Sequence, residues 1–444
     1  MLFNLQDKQR ELTSAFKTAM MRGRQKSDPE KTFFIVGPHE CGKTMLVSEY
    51  VKKHKNTFYM SFENLSETEA LESFRNLYMP EYEPFENWDK AVSAFAEKRK
   101  NKPTFFIFEN GNDACYDAFQ TYICKEKYTS ACCILDEFTD VLFGIKVELK
   151  YKTLSDYFKA FPNHSRKEIL HLFALTGGIP SVVKELNDNK TFEENLRLLL
   201  RYDSAFSATL PKWLGKYFRS PESYYPIIKC IADGHHRLSE IAKIIGFPNN
   251  KCGKYLDALI KYHFVVTEKA KGKNQSTYHL ANSYFISWGR YIYGKRAMQI
   301  SNPDMFFQYV VGDMSEAVSM PAFYSACKKF MDEAPRNFVA ECYQENIIGT
   351  KKSVSTKLRN GRVVIFDYCI KTYDELFVYI FPHTIDTRYT KDDIEDIYRA
   401  LKRRRAYYNT HIIIFSIERF SDWCVHESKM NDMLHEVTLE RLKY

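Results

Sequence analysis

The stretch that decides the fold of the first part of the chain is Gly37-Pro38-His39-Glu40-Cys41-Gly42-Lys43-Thr44. It matches the pattern G-x-x-x-x-G-K-[ST], in which backbone amides and a lysine surround phosphate groups. The residues before it, Thr32–Val36, predict a short buried strand, and Met45–Val51 predict a helix. Strand, loop and helix in this order predict an α/β domain that binds a nucleotide.

The residue types of this loop suit the phosphates of ATP. Glycines allow backbone N–H groups to curl around phosphate oxygens. Lys43 is expected to reach the β- and γ-phosphates, and the Thr44 hydroxyl to complete the coordination of Mg²⁺. ATP and Mg are therefore the expected cofactors. The candidate nucleotide-binding residues are Gly37, Pro38, His39, Glu40, Cys41, Gly42, Lys43 and Thr44.

Hydrolysis of ATP requires a second strand that ends in an acid for Mg²⁺ and a group that activates water. The apolar segment Thr104–Asn110 ends in Glu-Asn, where Asp-Glu is expected. Glu109 has a carboxylate that suits Mg²⁺, but Asn110 cannot accept a proton, so it cannot act as a general base. A competing segment, Cys132–Glu137, ends in Asp-Glu, and the local pattern alone favours it.

Length and composition limit the class of protein. A chain of 444 residues predicts two to four domains, and 45% hydrophobic with 27% charged residues predicts folded domains. No apolar run approaches the roughly 18 residues of a membrane span. The first residues carry charge early and predict no secretory signal. The 11 cysteines are scattered without a C-x-x-C pair, which predicts reduced thiols and a cytoplasmic location.

A basic segment lies between Pro221 and Lys295. It holds eleven Lys or Arg and five Asp or Glu, so it carries a net charge of +6 out of +8 for the whole chain. Its apolar spacing predicts three helices and then two strands joined by a lysine-rich turn, which is typical of a winged helix. The third helix is expected to begin after Pro248-Asn249-Asn250, with an Asn cap. In such a module the third helix enters the major groove and the wing meets phosphates. The candidate DNA-binding residues are Lys251, Lys254, Lys269, Lys271 and Lys273.

Several segments together resemble the archaeal-type ATPase family within the STAND/AAA-like P-loop proteins. Beyond the phosphate loop, the resemblance rests on the Gly-Gly-Ile-Pro of Thr176–Pro180, on the winged-helix pattern after Asp233, and on Asn282–Trp288. It implies a P-loop NTPase (AAA-like) α/β domain, a winged helix and a restriction-endonuclease-like α/β domain. The predicted boundaries are 1–215, 216–300 and 301–444.

The resemblance also implies roles for the two competing strands. It places Phe105–Asn110 on the Walker B strand, with Glu109 as a metal ligand, and Cys132–Glu137 on the following sensor strand. Gly144-Ile145-Lys146 stands where the family carries Gly-Arg-Arg. In the C-terminal domain Asp367 matches the first acid of the nuclease pattern, but Leu376–Pro382 contains neither Glu nor Lys, so nuclease activity is not expected.

The changes beside an intact loop predict a protein that binds ATP better than it hydrolyses it. The favoured function is a nucleotide-responsive DNA-binding or regulatory protein with weak or absent hydrolysis. Two alternatives stay open: an active AAA/STAND-type ATPase, and a protein-interaction scaffold with a structural nucleotide. The expected partners are ATP or ADP, duplex DNA or another protein, and no membrane.

Overall fold

The structure is a computed structural model that describes residues 6–22, 31–53, 56–62, 65–99, 102–109, 113–126, 129–136, 145–269, 276–333, 349–373, 375–406 and 409–442. The chain divides into two compact units, Phe3–Tyr151 and Lys152–Tyr444. This division falls inside the first of the three predicted domains, and the three-domain boundaries stay a prediction. Each unit has a β-sheet of its own.

The first unit is built on a five-stranded sheet whose strands all run parallel, in the order β2-β3-β4-β1-β5. This arrangement confirms the predicted α/β class. The carboxyl ends of β1, β4 and β3 therefore lie side by side at one edge of the sheet. The strands are β1 Thr32–Gly37, β2 Thr57–Ser61, β3 Thr104–Glu109, β4 Thr129–Asp136 and β5 Ile145–Glu148. The helices are α1 Gln6–Arg22, α2 Lys43–Lys53, α3 Glu67–Tyr78, α4 Trp88–Lys98 and α5 Asp113–Lys125.

Apolar cores cover both faces of this sheet, as expected for parallel strands. Alternate residues of β3 enter opposite cores: Phe105 packs in one and Phe106 in the other. The same alternation separates Cys132 from Cys133 on β4, because successive side chains of a strand point to opposite faces. Burial raises the pKa of Cys133 to about 12, which suits a thiol that only packs.

The second unit begins with helices and continues into three helices and a two-stranded antiparallel ribbon. The first helices are α6 Leu154–Ala160, α7 Arg166–Thr176, α8 Pro180–Val183, α9 Phe192–Leu199 and α10 Ala205–Tyr217. The next elements are α11 Tyr225–Ala232, α12 Leu238–Ile245, α13 Asn249–Lys261, β6 Val265–Lys269 and β7 Ser276–Leu280. Four helices follow, α14 Ser283–Ser287, α15 Arg296–Ser301, α16 Pro303–Met314 and α17 Met320–Glu333.

The start of α13 differs from its prediction. The sequence places the helix after Asn250 with an asparagine cap, but the helix begins at Asn249, with Pro248 as the N-cap residue and no side-chain cap. The Asn250 Oδ1 instead accepts a hydrogen bond of 2.8 Å from the backbone N–H of Lys251. The cap prediction was therefore wrong, because Asn250 lies inside the first turn of the helix and not at the N-cap position.

The C-terminal part of the second unit is a mixed five-stranded sheet in the order β12-β11-β10-β9-β8. Strands β8, β9 and β10 pair antiparallel, whereas β10, β11 and β12 pair parallel. Parallel neighbours need crossover connections, and a helix supplies each one. The elements are β8 Gly349–Lys357, β9 Val363–Lys371, β10 Leu376–Ile380, α18 Lys391–Arg403, β11 Thr410–Ser416, α19 Asp422–Met430 and β12 Leu434–Thr438.

Candidate functional site: the loop after β1

The loop between β1 and α2 turns sharply at two points that restrict the residue type. Gly42 has a φ of 100° and Glu40 a φ of 54°, both in the left-handed region that favours glycine. At Gly37, a Cβ atom would lie 2.6 Å from the backbone oxygen of Leu149 and 2.8 Å from the Cys41 Sγ. The first glycine is thus required because the strand passes directly against its neighbour.

Lys43 begins α2 and folds back over the loop. Its Nζ donates hydrogen bonds to the carbonyl oxygens of Gly37 at 2.6 Å and Pro38 at 3.1 Å. The far side of the loop is held by Tyr151, whose hydroxyl donates to the His39 carbonyl at 3.1 Å. A bound phosphate would replace the two neutral carbonyl acceptors of Lys43 with anionic oxygens, which attract an ammonium group more strongly.

Thr44 and Glu109, the two candidate magnesium ligands, lie in contact. The Thr44 Oγ1 donates a hydrogen bond of 2.5 Å to the Glu109 Oε1, which brings the first turn of α2 to the end of β3. The Tyr59 hydroxyl of β2 donates to the other carboxylate oxygen, Oε2. One hydroxyl and one carboxylate oxygen on facing elements form a donor set that suits Mg²⁺, which prefers oxygen ligands. Sequence reasoning missed Tyr59, since the contact depends on how β2 pairs with β3.

The competing strand β4 lies between β1 and β3. Its last residue, Asp136, stands opposite Gly37 in the register, so the two candidate acidic strands end beside the same loop. Asn110, Glu137 and Gly144 lie outside the described residues. Lys146 is exposed on β5 and pairs with Phe34, three residues before the first glycine of the loop.

The candidate DNA-binding lysines are on α13 and the β6–β7 ribbon. Lys251 and Lys254 are exposed on one face of α13, while Cys252 and Leu256 are buried on the other. The Lys251 Nζ lies 4.2 Å from the centre of the Phe247 ring, a cation–π distance. Lys269 is the last residue of β6, and the predicted wing residues Lys271 and Lys273 lie outside the described residues.

The acid predicted for a nuclease-like site contacts the backbone that follows the next strand. Asp367 is on β9, and its Oδ2 accepts a hydrogen bond of 2.7 Å from the backbone N–H of Phe381, just after β10. Burial raises the pKa of Asp367 above its ordinary value. Within the described residues, no group of three or more His, Cys, Asp or Glu is placed to hold a metal ion.

Two of the segments quoted in the resemblance meet in the second unit. The Asn282 Nδ2 donates to the Gly177 carbonyl at 3.0 Å, and its Oδ1 accepts from the Tyr284 N–H at 2.8 Å. A Cβ on Gly177 would lie 1.7 Å from the Asn282 Oδ1, and one on Gly178 would lie 2.0 Å from the Lys152 carbonyl oxygen. Both glycines also have φ in the left-handed region. At each position glycine therefore allows both this backbone conformation and the close approach of the neighbouring oxygen.

Comparisons with known proteins identify similar chains but no family. No family model matches this sequence. An uncharacterized protein of Methanocaldococcus jannaschii is 25% identical over 301 residues, which are 61% of this chain and 66%, just under two thirds, of that protein. No helix of the described residues is long and apolar enough to cross a membrane.

Three solved structures are similar over much of this chain. Protein VC1899 from Vibrio cholerae is 13% identical with a TM-score of 0.20, covering 93% of this chain and 95% of that one. Cdc6p from Pyrobaculum aerophilum is 11% identical with a TM-score of 0.28, covering 64% of this chain and 92% of that one. Can2 from Sulfobacillus thermosulfidooxidans, in complex with cyclic tetra-adenylate, is 11% identical with a TM-score of 0.18 and 96% coverage of both chains.

Proposed function

We propose that this protein binds ATP with Mg²⁺ through the loop Gly37–Thr44, hydrolyses it slowly, and responds to it as a DNA-binding or regulatory protein. The observation that carries the nucleotide proposal is the contact between Thr44 and Glu109 beside Lys43. These side chains supply a hydroxyl, a carboxylate and an ammonium group at the end of a parallel β-sheet, where α/β proteins bind ligands. The P-loop and AAA-like assignments belong to the same proposal.

Titration calorimetry with ATP and Mg²⁺ tests the nucleotide site. Lys43→Ala removes the cation expected to contact the phosphates, and we expect it to weaken binding by at least about tenfold, as for loss of a charged hydrogen bond. Lys52→Ala is the matched control, because Lys52 is exposed further along the same helix. Equal affinity in the wild type and Lys43→Ala would remove the assignment.

The slow-turnover part of the proposal rests on residue chemistry. Asn110 follows Glu109 directly, and its amide has no basic site at neutral pH. Lys146 stands where an arginine is expected, and an ammonium group lacks the planar, bidentate geometry of a guanidinium. Turnover well below the roughly 1 to 100 s⁻¹ of kinases is therefore expected. Brisk hydrolysis that is abolished by Asp136→Ala or Glu137→Ala would favour the alternative of an active ATPase.

The DNA-binding part of the proposal assigns a winged helix to residues 216–300. Support comes from the exposed face of α13, where Lys251 and Lys254 lie three residues apart, and from the net charge of +6 between Pro221 and Lys295. Each phosphate contact releases condensed counterion and contributes about −0.9 to the slope of log K against log salt. Five lysines predict a slope of roughly −4 to −5 if all of them bind phosphate.

Anisotropy titrations of duplex DNA at several salt concentrations test this assignment. The triple variant Lys269→Ala, Lys271→Ala and Lys273→Ala is expected to flatten the slope by up to about three units and to weaken binding to all sequences alike. The control triple variant removes the same charge from exposed lysines elsewhere in the second unit, at Lys159, Lys184 and Lys371. A wild-type slope in the wing variant would exclude the wing, and no binding at low salt would favour the scaffold alternative.

A further inference from the structure

A cavity of about 480 Å³ lies in the second unit, where four segments of the chain meet. These are the turn between α6 and α7, the loop between β10 and α18, the loop between β11 and α19, and the 3-10 turn Leu439–Arg441. Its volume is within the roughly 300 to 1,000 Å³ of small-molecule sites. None of the residues predicted to bind nucleotide, metal or DNA lines it.

Three guanidinium groups line this cavity. Arg166 at the start of α7 forms an ion pair with Glu440, and its side chain is only 14% exposed. Arg388 and Arg419 also line the cavity, are exposed, and form no ion pair with any other residue that the structure describes. The loop that carries Arg388 is fastened to α7 through an ion pair between Lys167 and Asp386. Glu418 and Glu440 line the cavity as well, so its three arginines and two glutamates carry a net charge of +1, with Arg388 and Arg419 on separate loops.

The arginines are close enough to disturb one another. Burial lowers the pKa of Arg166, and the charge of Arg419 lowers it further, while Glu418 acts in the opposite direction. An anion bound to Arg419 would reduce this repulsion and accept charge-assisted, bidentate hydrogen bonds from its guanidinium group. The N-terminus of α7 does not supply the affinity for an anion, because Ser165 and Glu168 already cap it through reciprocal hydrogen bonds.

Part of the cavity lining is apolar. Phe158 is half-buried there, and Phe161 and Ile169 are buried. Aromatic and aliphatic walls with a few charged groups are typical of sites that bind a ring bearing a polar substituent. We propose that this cavity binds a small phosphate ester that carries a planar ring, of the nucleoside monophosphate class, with Arg388 and Arg419 on the phosphate and Phe158 against the ring.

Titration calorimetry with AMP and with inorganic phosphate tests this proposal on the full chain carrying Lys43→Ala, so that the loop after β1 contributes least. We expect AMP to bind and the added pair Arg388→Gln and Arg419→Gln to weaken it by at least about tenfold, as for loss of charged hydrogen bonds. The matched control is Arg359→Gln, an exposed arginine in the turn between β8 and β9, which is expected to leave AMP binding unchanged.

Two further variants separate the parts of the proposal. Arg388→Lys with Arg419→Lys keeps the charge but loses the bidentate geometry, and we expect an affinity between those of the parent and the Gln pair. Phe158→Ala is expected to weaken AMP but not inorganic phosphate. Absence of AMP binding at millimolar concentration, or equal binding by the parent and the Gln pair, would overturn the site. Equal affinity for AMP and phosphate would overturn the ring contact.

Discussion

Tyr59→Phe is a sharp test of the candidate magnesium site, because it removes one hydroxyl and keeps the ring. That hydroxyl donates to the Glu109 Oε2, whereas Oε1 faces Thr44. We therefore expect Oε1, which contacts Thr44, to face Mg²⁺, while the hydrogen bond from Tyr59 to Oε2 holds the carboxylate in position. Hydrogen bonds to charged groups contribute about 1.5 to 3 kcal/mol. Since water replaces part of this hydrogen bond in the variant, we expect the binding free energy of ATP with Mg²⁺ to weaken by about 1 to 2 kcal/mol, which raises Kd about 5- to 30-fold.

The assay is calorimetric titration of ATP with Mg²⁺ present and again with EDTA. The affinity loss is expected only with Mg²⁺, because Tyr59 contacts Glu109, the proposed metal ligand, and none of the residues proposed to bind the phosphates. Tyr82→Phe is a matched control in the same unit that leaves both contacts of Glu109 intact. An equal loss in EDTA, or no loss in Mg²⁺, would refute a positioning role for Tyr59.

Four further predictions concern turnover, cleavage, pH and stability. Asn110→Glu is expected to raise ATP turnover, measured as phosphate release, because a carboxylate accepts a proton; an unchanged rate would count against the explanation of slow hydrolysis. The wild type is expected to cleave no DNA in Mg²⁺ or Mn²⁺, and cleavage that disappears in Asp367→Ala would contradict this. Burial raises the pKa of Glu436 to about 7 from its ordinary value near 4.3. The folded state therefore binds a proton that the unfolded state has released, and the free energy of unfolding falls as pH rises from about 5 to 8. Glu436→Gln is expected to remove about 1 to 2 kcal/mol of this fall, a value reduced for the screening of a half-buried carboxylate by solvent. Denaturant unfolding at both pH values measures it. Asn282→Ala is expected to lower the free energy of unfolding by about 2 to 3 kcal/mol in the same assay, because it removes a helix cap and a contact to Gly177. Asn302→Ala removes a helix cap alone and is expected to lower it by about 1 kcal/mol. Equal losses in the two variants would show that the Gly177 contact adds no stability.

The sequence predicted the elements around the loop because their signals are local. Strand β1, the loop and α2 follow directly from apolar alternation and the glycine pattern, and β3 lies within the predicted segment Thr104–Asn110. Tyr59 could not be predicted, since its contact depends on the pairing of β2 with β3, and no periodicity encodes which strand lies next to which. The start of α13 was misplaced because several residues near Pro248 are good helix starters.

The cavity lined by Arg166, Arg388 and Arg419 could not be predicted from the sequence either. Arg166 and Arg419 are separated by more than half of the second unit, and each one alone is an ordinary exposed or paired arginine. Only the packing of α6 and α7 against the loops of the C-terminal sheet brings them to one place. Convergence of distant charges is a tertiary property, so local residue patterns carry no trace of it.

The hydrogen bond between Asn282 and Gly177 joins positions that are 105 residues apart. It therefore closes α8 to α13 and the β6–β7 ribbon into one loop of chain, with its two ends pinned at a single point. Closing a loop of that length costs entropy once, and contacts formed afterwards inside it join residues that are already confined. After a protease cut at an exposed turn within the loop, the two fragments would stay together only through noncovalent contacts, to which this hydrogen bond contributes about 0.5 to 1.5 kcal/mol. Any side chain at 177 would collide with the amide at 282, so a larger residue at 177 requires Asn282 to move or to change as well.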